Sequence, residues 1–438
     1  MSNENFDIYN KYESEVRSYC RKWPAEFQYA KGSILKDINN NSYIDFFNGA
    51  GALNYGHNND YIKGKLMEYL ASDNIIHSLD MHTAAKSEFI EYFEKNILEP
   101  RIGKSDEGYK IMFPGPTGTN AIESALKLAR KVTGRSNVFA LMGAFHGMTD
   151  GALALTTEEA ARKGAGITLD NVTHIPAPYM MGGNFDTIAY LEEILNDDHS
   201  GIDKPAAIFV ETVQAEGGIE VLSEEFLRDL RKLCDKHEIL LVVDDIQVGN
   251  CRTGNFFSFE RAGIVPDMVT LSKSISGFGS PFSVLLFKGK YDKFKPGEHN
   301  GTFRGYVPSM VTAKAGLEFM LNNKVEDEVK RKEVIVKNYL ENEIKPLLVN
   351  GEQIRGIGLI WGIDFLDGKT SRAVLDECFK NGLIIELAGR GDSVLKLMPS
   401  LVIEDELLIK GLDIIKKSIV SVLSRKNSDV VARVRKND

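Results

Sequence analysis

Cysteine is scarce in this chain, and the four cysteines that occur do not form pairs. Cys20, Cys234, Cys251 and Cys378 lie far apart among the 438 residues. Disulfide frameworks and zinc sites use closely or regularly spaced cysteines, so this spacing argues against both and favours a reducing compartment. The histidines show no helical metal-ligand spacing either, and we expect no metal site.

The chain also lacks an excess of positive charge and any long apolar run. Its 53 Lys and Arg residues are outnumbered by 62 Asp and Glu residues, which gives a net charge of −9. Proteins that bind nucleic acids usually carry a basic stripe instead. No apolar run approaches the length of a membrane span, and the polar N-terminus does not resemble a signal peptide. These features predict a soluble cytoplasmic protein that binds neither nucleic acid nor membrane.

Short apolar runs alternate with helical patterns between residues 60 and 320. This alternation is typical of an α/β domain in which a mostly parallel sheet is flanked by helices. A helix predicted over Glu224–His237 has its apolar residues on one face and Ser223 as its N-cap. The other predicted elements are a helix over Ala121–Lys131 and the strands Val138–Met142, Ala206–Val210, Leu240–Val243 and Met268–Leu271.

The two ends of the chain predict a second, smaller α+β domain. We expect residues 1–59 to form its N-terminal segment and residues 321–438 its C-terminal part, on either side of a large domain at residues 60–320. The polar, basic tail is expected to fray. The predicted elements are two short strands within Ser33–Phe47, a charged helix after residue 321, a helix around Ser371–Asn381, and the strands Leu383–Leu387 and Val394–Leu397.

Two predicted strands of the large domain end in charged residues. One runs into Asp244 and Asp245, and the other runs into Lys273, which stands between two serines. Ligands of parallel sheets gather at the carboxyl ends of the strands, so we expect Asp244 and Lys273 to converge. A lysine that can lose its charge near an acid suggests Schiff-base chemistry with a pyridine-containing cofactor. Considered alone, such a lysine is more often an exposed residue that follows a strand.

A loop rich in Gly, Pro and Thr opens directly onto a helix in the segment Phe113–Lys131. Unpaired N–H groups and the positive end of the helix dipole make such a junction suitable for phosphate. The segment has neither the lysine of a Walker-A loop nor the GxGxxG spacing of dinucleotide folds. The same pattern also describes an ordinary loop before a capped helix, and this stretch alone does not decide between the two.

Further residues follow predicted strands and belong to the same predicted edge. Phe145 and His146 come after Val138–Met142, and Glu211 ends Ala206–Val210. An aromatic ring there could stack on a flat cofactor, although a Phe in the core is the commoner case. Gln247 lies on the turn after Asp244 and could reach a hydroxyl of the same ring. Together these residues predict a phosphate-binding loop, an aromatic ring that can stack on a cofactor, carboxylates and a lysine at successive strand ends of one sheet.

The order of these motifs resembles the class III aminotransferases, which are fold-type I pyridoxal phosphate enzymes. The resemblance covers nearly the whole chain. It implies pyridoxal 5'-phosphate as the cofactor, amino acids and oxo acids as substrates, and a homodimer or higher homo-oligomer whose active sites form at the subunit interface. The segments that carry it are PTGTNAIESALKLAR, FHGMT, ETVQAEGG, VVDDIQVGNCRTG, VTLSKS and HNGTFRG.

The resemblance also implies a role for each matching residue. Lys273 would form the Schiff base with the cofactor, and Asp244 would pair with the pyridine nitrogen. The other implied contacts are Gln247 near the phenolic oxygen, Gly118 and Thr119 at the phosphate, Phe145 stacked on the ring beside His146, Thr302 at the phosphate of the neighbouring subunit, Glu211 at the cofactor, and Glu216 as a specificity gate.

The chain departs from the family pattern where the substrate would bind. Thr212 and Ala215 replace the usual proline and glycine of the stretch that ends in Glu216. The arginine that usually holds the glutamate carboxylate is replaced by Lys396, and lysine offers a point charge instead of a bidentate fork. Arg304 or Arg390 could supply the missing fork, and the sequence does not distinguish them.

Within the class, several segments are most similar to enzymes that move the amino group of L-glutamate onto the aldehyde carbon of L-aspartate 4-semialdehyde. We therefore expect this reaction, with L-2,4-diaminobutyrate and 2-oxoglutarate as products. The alternatives are another ω-aminotransferase that acts on ornithine, 4-aminobutyrate or taurine, and an inactive relative that serves as a binding or regulatory subunit. The product could feed ectoine, siderophore or antibiotic synthesis. The segments concerned are RSYCRKWP, KVTGRSN, LDMHT and PGEHNGTFRG.

Overall fold

The computed structural model describes residues 7–103 and 108–437. Its N-terminal part contains three antiparallel strands, which follow one another in the sheet. The turn around Asn40, which has a positive φ, connects the second strand to the third, as the Asn-rich sequence predicts. The elements are α1 (Asp7–Tyr12), α2 (Tyr19–Lys22), β1 (Phe27–Lys31), β2 (Ile34–Asp37), β3 (Ser42–Asp45) and α3 (Asn48–Gly51).

The middle of the chain forms a seven-stranded sheet flanked by helices. Its helices are α4 (Asp60–Ala71), α5 (Ala84–Phe93), α6 (Glu99–Ile102), α7 (Gly118–Thr133), α8 (Asp150–Leu155), α9 (Glu159–Lys163), α10 (Met180–Gly183), α11 (Thr187–Asn196), α12 (Glu224–Lys236) and α13 (Val307–Asn322). Its strands are β4 (Tyr109–Met112), β5 (Val138–Leu141), β6 (Val172–Ile175), β7 (Ala207–Val210), β10 (Leu240–Asp244), β11 (Met268–Leu271) and β12 (Val284–Lys288), and a separate hairpin pairs β8 (Val213–Gln214) with β9 (Glu220–Val221).

The order of the seven strands is β4-β12-β11-β10-β7-β5-β6. All pairs are parallel except those of β12, which runs antiparallel to both of its neighbours. The sheet is therefore mostly parallel, as predicted. Because parallel sheets are covered by helices on both faces, their strands are apolar throughout.

Strand β10 shows this burial on both faces. Leu241 and Val243 pack with Val210 in one core layer, whereas Leu240 and Val242 pack in the other. Charged groups have no place on either face of such a strand, so they can occur only at its ends. The helix α12 covers one face, and the Ser223 side chain accepts the N–H of Phe226 at 3.1 Å, which confirms the predicted N-cap.

The C-terminal part contributes two sheets and a long final helix. Its elements are α14 (Val325–Tyr339), β13 (Gln353–Ile357), β14 (Ile360–Asp364), α15 (Gly368–Lys380), β15 (Leu383–Ile384), β16 (Glu386–Ala388), β17 (Val394–Leu397) and α16 (Asp405–Asn437). Strand β15 pairs in parallel with β3, so one sheet contains strands from both ends of the chain. The order of the other sheet is β13-β14-β17-β16.

One local prediction for this part was wrong. The stretch Leu383–Leu387 is not one strand, because the chain changes sheets at Ile385: β15 pairs with β3 and β16 pairs with β17. The helix α16 extends to Asn437, and fraying of its polar, basic end stays a prediction. Among the described residues, no helix is both long enough and apolar enough to cross a membrane.

Candidate active site

A cavity of about 170 Å³ lies at the carboxyl ends of β5, β7, β10 and β11. Each of these strands is followed or ended by a residue that lines the cavity, which is the arrangement expected of parallel sheets. The site residues predicted from these strand ends therefore do come together. The lining residues are Gly118, Thr119, Phe145, His146, Gly147, Glu211, Val213, Glu216, Asp244, Ile246, Gln247, Val248 and Lys273.

Asp244 is buried at the end of β10 and is held by three groups. Its Oδ2 lies 2.7 Å from Nδ1 of His146. Its Oδ1 accepts the hydroxyl of Thr270 at 3.2 Å and the N–H of Ile246 at 3.1 Å. These contacts fix the carboxylate at the cavity wall, where it can receive a protonated ring nitrogen.

His146 and Glu211 are two further titratable residues that line the cavity. Burial alone would disfavour the charged imidazole, but the hydrogen bond to Asp244 and the charges of Asp244 and Glu211 raise the pKa of His146 above its ordinary value. Burial raises the pKa of Glu211 to about 8, and the charge of Asp244 adds to that effect. The carboxyl group of Glu211 also accepts the N–H of Phe145 at 2.9 Å, which positions the aromatic residue.

Lys273 begins a short 3-10 turn directly after β11 and has a φ of 52°. A left-handed conformation in a residue other than Gly is strained, and such strain is often found at functional sites. Burial lowers the pKa of Lys273, with a further contribution from the charge of Lys396, although Glu216 opposes the shift. A neutral amine at this position can act as a nucleophile or as a base.

The helix α7 starts at Gly118, three residues before the predicted start. Thr117 caps it in a reciprocal arrangement with Asn120, which explains the earlier beginning. Gly118 lies so close to Ile246 that a Cβ atom on it would be 3.0 Å from Cδ1 of that residue. The helix terminus therefore opens on the cavity, and its free N–H groups can bind a phosphate.

Glu216 and Lys396 form an ion pair beside the cavity. Nζ of Lys396 lies 2.6 Å from Oε1 of Glu216 and 2.9 Å from Oε2 of Glu386. Lys396 is fully buried, whereas the Glu216 side chain is 31% exposed and lines the cavity. Burial alone would lower the pKa of Lys396, but the two carboxylates raise it above its ordinary value.

The residues present fit pyridoxal phosphate. An acid, a lysine, an aromatic side chain and a helix N-terminus line one cavity, and these are the groups that the ring nitrogen, the aldehyde, the ring face and the phosphate require. Two buried polar atoms at the site, Nε2 of His146 and Oε1 of Gln247, have no hydrogen-bond partner within the part of the chain that the structure describes. Such atoms can be satisfied by a bound ligand.

Four predicted residues lie outside the cavity lining: Lys396, described above, and three more. Thr302 is exposed in the segment before α13. The guanidinium of Arg304, two residues further on, donates to the carbonyl of His299 at 3.2 Å. Arg390 lies over the ring of Tyr179, 5.8 Å from its centre. Their contacts with substrate or with another subunit remain predictions.

The sequence reasoning missed several residues of the site. Val213, Ile246 and Val248 supply its apolar wall, and their spacing around Asp244 and Glu211 was the available signal. Glu386 was also missed, because a glutamate inside a short apolar run is a weak signal. Its position became evident only from the pairing of β16 with β17, which places it opposite Lys396.

Comparison with known proteins agrees with this geometry. The sequence profile of the family described as aminotransferase class-III matches residues 19–419. The chain is 49% identical to the diaminobutyrate–2-oxoglutarate transaminase of Bordetella parapertussis over 95% of both chains. It is 47% identical to the enzyme of the same name from Marinococcus halophilus, over 98% of this chain and 99% of that one.

Among solved structures, the chain is similar to an ornithine aminotransferase from Toxoplasma gondii with pyridoxal phosphate at its active site. The TM-score is 0.84 and the identity 26%, over 97% of this chain and 95% of that one. This similarity confirms the predicted fold class, a fold-type I architecture in which a large mostly parallel sheet is joined to smaller sheets.

The pKa of Glu211 leads to a test on the cofactor-free protein. A folded-state pKa of about 8, above the ordinary value of 4.5 for a glutamate, means that Glu211 favours the folded state at low pH. That contribution is lost progressively as the pH rises from 4.5 to 8. The loss amounts to at most ~5 kcal/mol. Glu211→Gln cannot ionise, so its unfolding free energy relative to the wild type should rise over this pH range.

Thermal midpoints at pH 5, 6.5 and 8 measure this difference. Glu343→Gln removes a surface carboxylate that pairs with Lys416 and serves as the matched control. A constant difference between Glu211→Gln and the wild type at all three pH values would contradict the assigned pKa.

Proposed function

The chain belongs to the class III aminotransferases, and we propose that it transfers the amino group of L-glutamate to the aldehyde carbon of L-aspartate 4-semialdehyde. The products are L-2,4-diaminobutyrate and 2-oxoglutarate. Relatives that are 46–49% identical over nearly their full length carry the name diaminobutyrate–2-oxoglutarate transaminase, which supports these substrates. The observation that carries the proposal within the chain is the convergence of Asp244 and Lys273 on one cavity.

The cofactor of this family is pyridoxal 5'-phosphate, and several residues of the site are suited to hold it. Asp244 would face the ring nitrogen, and Phe145 would contact the ring. Gly118 and Thr119 at the start of α7 would bind the phosphate. Gln247, whose Nε2 donates to Ala50 and Glu216, would lie near the phenolic oxygen. When bound, the cofactor supplies an aldehyde that takes up the amino group and a ring that withdraws electrons from the reacting carbon.

Lys273 performs the proton transfer in this proposal. Its Nζ lines the cavity and would hold the cofactor in the resting enzyme. The free amine then takes the proton from Cα of glutamate and gives it back later in the same half-reaction. The lowered pKa of Lys273 favours this role, because a base must be neutral before it can accept a proton.

Asp244 has the complementary role. An ionised carboxylate at the ring nitrogen keeps that nitrogen protonated, and a protonated ring is the stronger electron acceptor. The hydrogen bonds from Thr270 and Ile246 orient this carboxylate. Nδ1 of His146, a residue whose pKa is raised, holds the other oxygen of this carboxylate at 2.7 Å.

The two substrates present their carboxylates at different distances from the reacting carbon. Glutamate reacts at Cα, next to its α-carboxylate, whereas the semialdehyde reacts at the opposite end of the molecule. We propose that Glu216 covers Lys396 while the semialdehyde reacts, as in the structure, and releases it when glutamate binds. Two features support this step: Lys396 is fully buried behind Glu216, and Glu216 is partly exposed to the cavity.

We also propose that two subunits assemble with shared active sites. Exposed apolar side chains are concentrated in α4 and the segment that follows it, together with Phe303, which is 62% exposed. The ring of Phe303 contacts His77 with 5.5 Å between centroids, so the two segments are adjacent. Apolar patches of this kind mark protein interfaces. The members are Met67, Leu70, Ile75, Ile76, Leu79, Met81 and Phe303.

We further place the enzyme in the cytoplasm and in ectoine synthesis. The unpaired cysteines support the first assignment. The second rests on the sequence segments that are most similar to enzymes making diaminobutyrate for ectoine.

Lys273→Ala tests the central residue. Purified wild-type protein should convert glutamate and aspartate semialdehyde faster than it uses ornithine, 4-aminobutyrate or taurine as amine donors. Lys273→Ala should lose this activity, together with the visible absorbance band of lysine-bound pyridoxal, and keep its circular dichroism spectrum. Full activity of the variant would refute the proposed mechanism, and a preference for ornithine would refute the substrate assignment.

Lys396→Met tests the carboxylate contact. The KM for glutamate should rise about tenfold or more, since a hydrogen bond between charged groups is lost, while the half-reaction with diaminobutyrate should change less. Both half-reactions are measured on the same preparation, so a general loss of stability affects them equally. Equal losses with both substrates would contradict the assignment.

Phe303→Asp tests the subunit interface. The wild-type protein should sediment as a dimer or a larger assembly, and the variant should shift towards the monomer and lose activity because the shared sites come apart. Tyr12→Asp changes another aromatic residue, 73% exposed and distant in sequence from this patch, and is the control. An unchanged sedimentation coefficient for Phe303→Asp would count against the patch as the interface.

A further inference from the structure

Glu386 is a second carboxylate on the ammonium of Lys396. It is 2% exposed and lies on β16, and its Oε2 is 2.9 Å from Nζ of Lys396. Glu386 does not belong to the sequence motifs by which the chain resembles its family. Two carboxylates therefore share one lysine, and the group of three carries one net negative charge.

The sheet fixes the pair of Glu386 and Lys396 but not the contact with Glu216. Strands β16 and β17 are antiparallel, and Glu386 lies directly opposite Lys396 in their register. Side chains opposite each other on neighbouring strands stay close together as long as the sheet persists. Glu216 comes from the loop between β8 and β9, where no such register holds it. Glu386 is thus the permanent partner of Lys396, and Glu216 is the partner that can leave.

This difference determines where the uncompensated charge lies. Glu386 and Lys396 are both buried behind the cavity wall, with 2.9 Å between Oε2 of Glu386 and Nζ of Lys396. Glu216 lines the cavity with its side chain 31% exposed, and both of its hydrogen bonds, from Lys396 and Gln247, end on Oε1. The wall that faces a substrate therefore presents a carboxylate whose negative charge is not fully compensated.

From this arrangement we propose that Glu386 is a positioning residue that determines specificity. Because Glu386 neutralises Lys396, the carboxylate of Glu216 is left to bind an ammonium group at the far end of the substrate. The proposal rests on the proposed function and names the class of amine selected. Among amines that react at a terminal carbon, the preferred ones carry a second ammonium group, as 2,4-diaminobutyrate does beside its carboxylate. Terminal amines whose far end carries a carboxylate alone, such as 4-aminobutyrate, are disfavoured, since a like charge at the wall repels them.

The matched pair of 2,4-diaminobutyrate and 4-aminobutyrate tests this proposal. The two amines differ only in the α-amino group, and both react at the same terminal nitrogen. In Glu386→Gln the single remaining carboxylate neutralises Lys396, so the ratio of kcat/KM for diaminobutyrate to that for 4-aminobutyrate should fall about tenfold. Glu386→Asp keeps the charge and should retain most of the preference. Glu343→Gln removes a surface carboxylate that pairs with Lys416 and should leave the ratio unchanged.

The outcomes separate this inference from the proposed function. If the wild-type protein does not use diaminobutyrate, the proposed function fails. Suppose instead that the wild-type protein uses diaminobutyrate. If Glu386→Gln then keeps the wild-type ratio, or loses activity with both amines equally, Glu386 does not determine specificity. The proposal is supported if the ratio falls in Glu386→Gln and stays close to the wild-type ratio in Glu386→Asp.

A measurement on the unmodified protein does not depend on whether the variants fold. 1,3-Diaminopropane carries a far ammonium group and no carboxylate, and propylamine has neither. The wild-type half-reaction should be about tenfold or more faster with the diamine at low concentration. Equal rates with the two amines would overturn the proposal.

Discussion

The carboxylate of Asp244 at the end of a buried strand is the constraint on which the site depends. Strand β10 is apolar on both faces, so its first charged group appears only where the strand leaves the sheet. His146, Thr270 and the N–H of Ile246 then fix that group. These partners come from the turn after β10, from the neighbouring strand β11 and from the loop after β5. The sheet that buries the core is therefore also the element that orients the acid.

The N-terminal, middle and C-terminal parts of the chain are joined near the site by the buried guanidinium of Arg252. It donates to the carbonyls of Leu359 and Pro399 and to Oδ1 of Asn54. Burial lowers its pKa to about 9, so hydrogen bonds to oxygen atoms are needed to keep the charge in place. Because Pro399 follows β17, this contact also connects the loop after Asp244 with the strand that carries Lys396.

Prediction from the sequence succeeded where a residue's neighbours in the chain determine its surroundings. Ser223 was predicted as a cap and accepts the N–H of Phe226, and the strand Met268–Leu271 was predicted with its observed bounds. Prediction failed where pairing with a distant strand determines the sheet to which a residue belongs, as in the division of Leu383–Leu387 between two sheets. Lys396 was expected to serve the substrate carboxylate, but its second partner, Glu386, could not be inferred. The apolar residues around Glu386 predict only that the stretch is buried.

Two features of the protein could be read from the sequence alone: the class of the sheet, and the positions of Asp244 and Lys273 at the ends of strands. These follow from apolar periodicity and turn residues, which act over a few neighbouring positions. Only the tertiary structure decided that Lys396 is shared by two carboxylates and which of them faces the cavity. The physical reason is that the electrostatics of a buried charge depend on groups brought near it by folding, here across about 180 residues between Glu216 and Lys396.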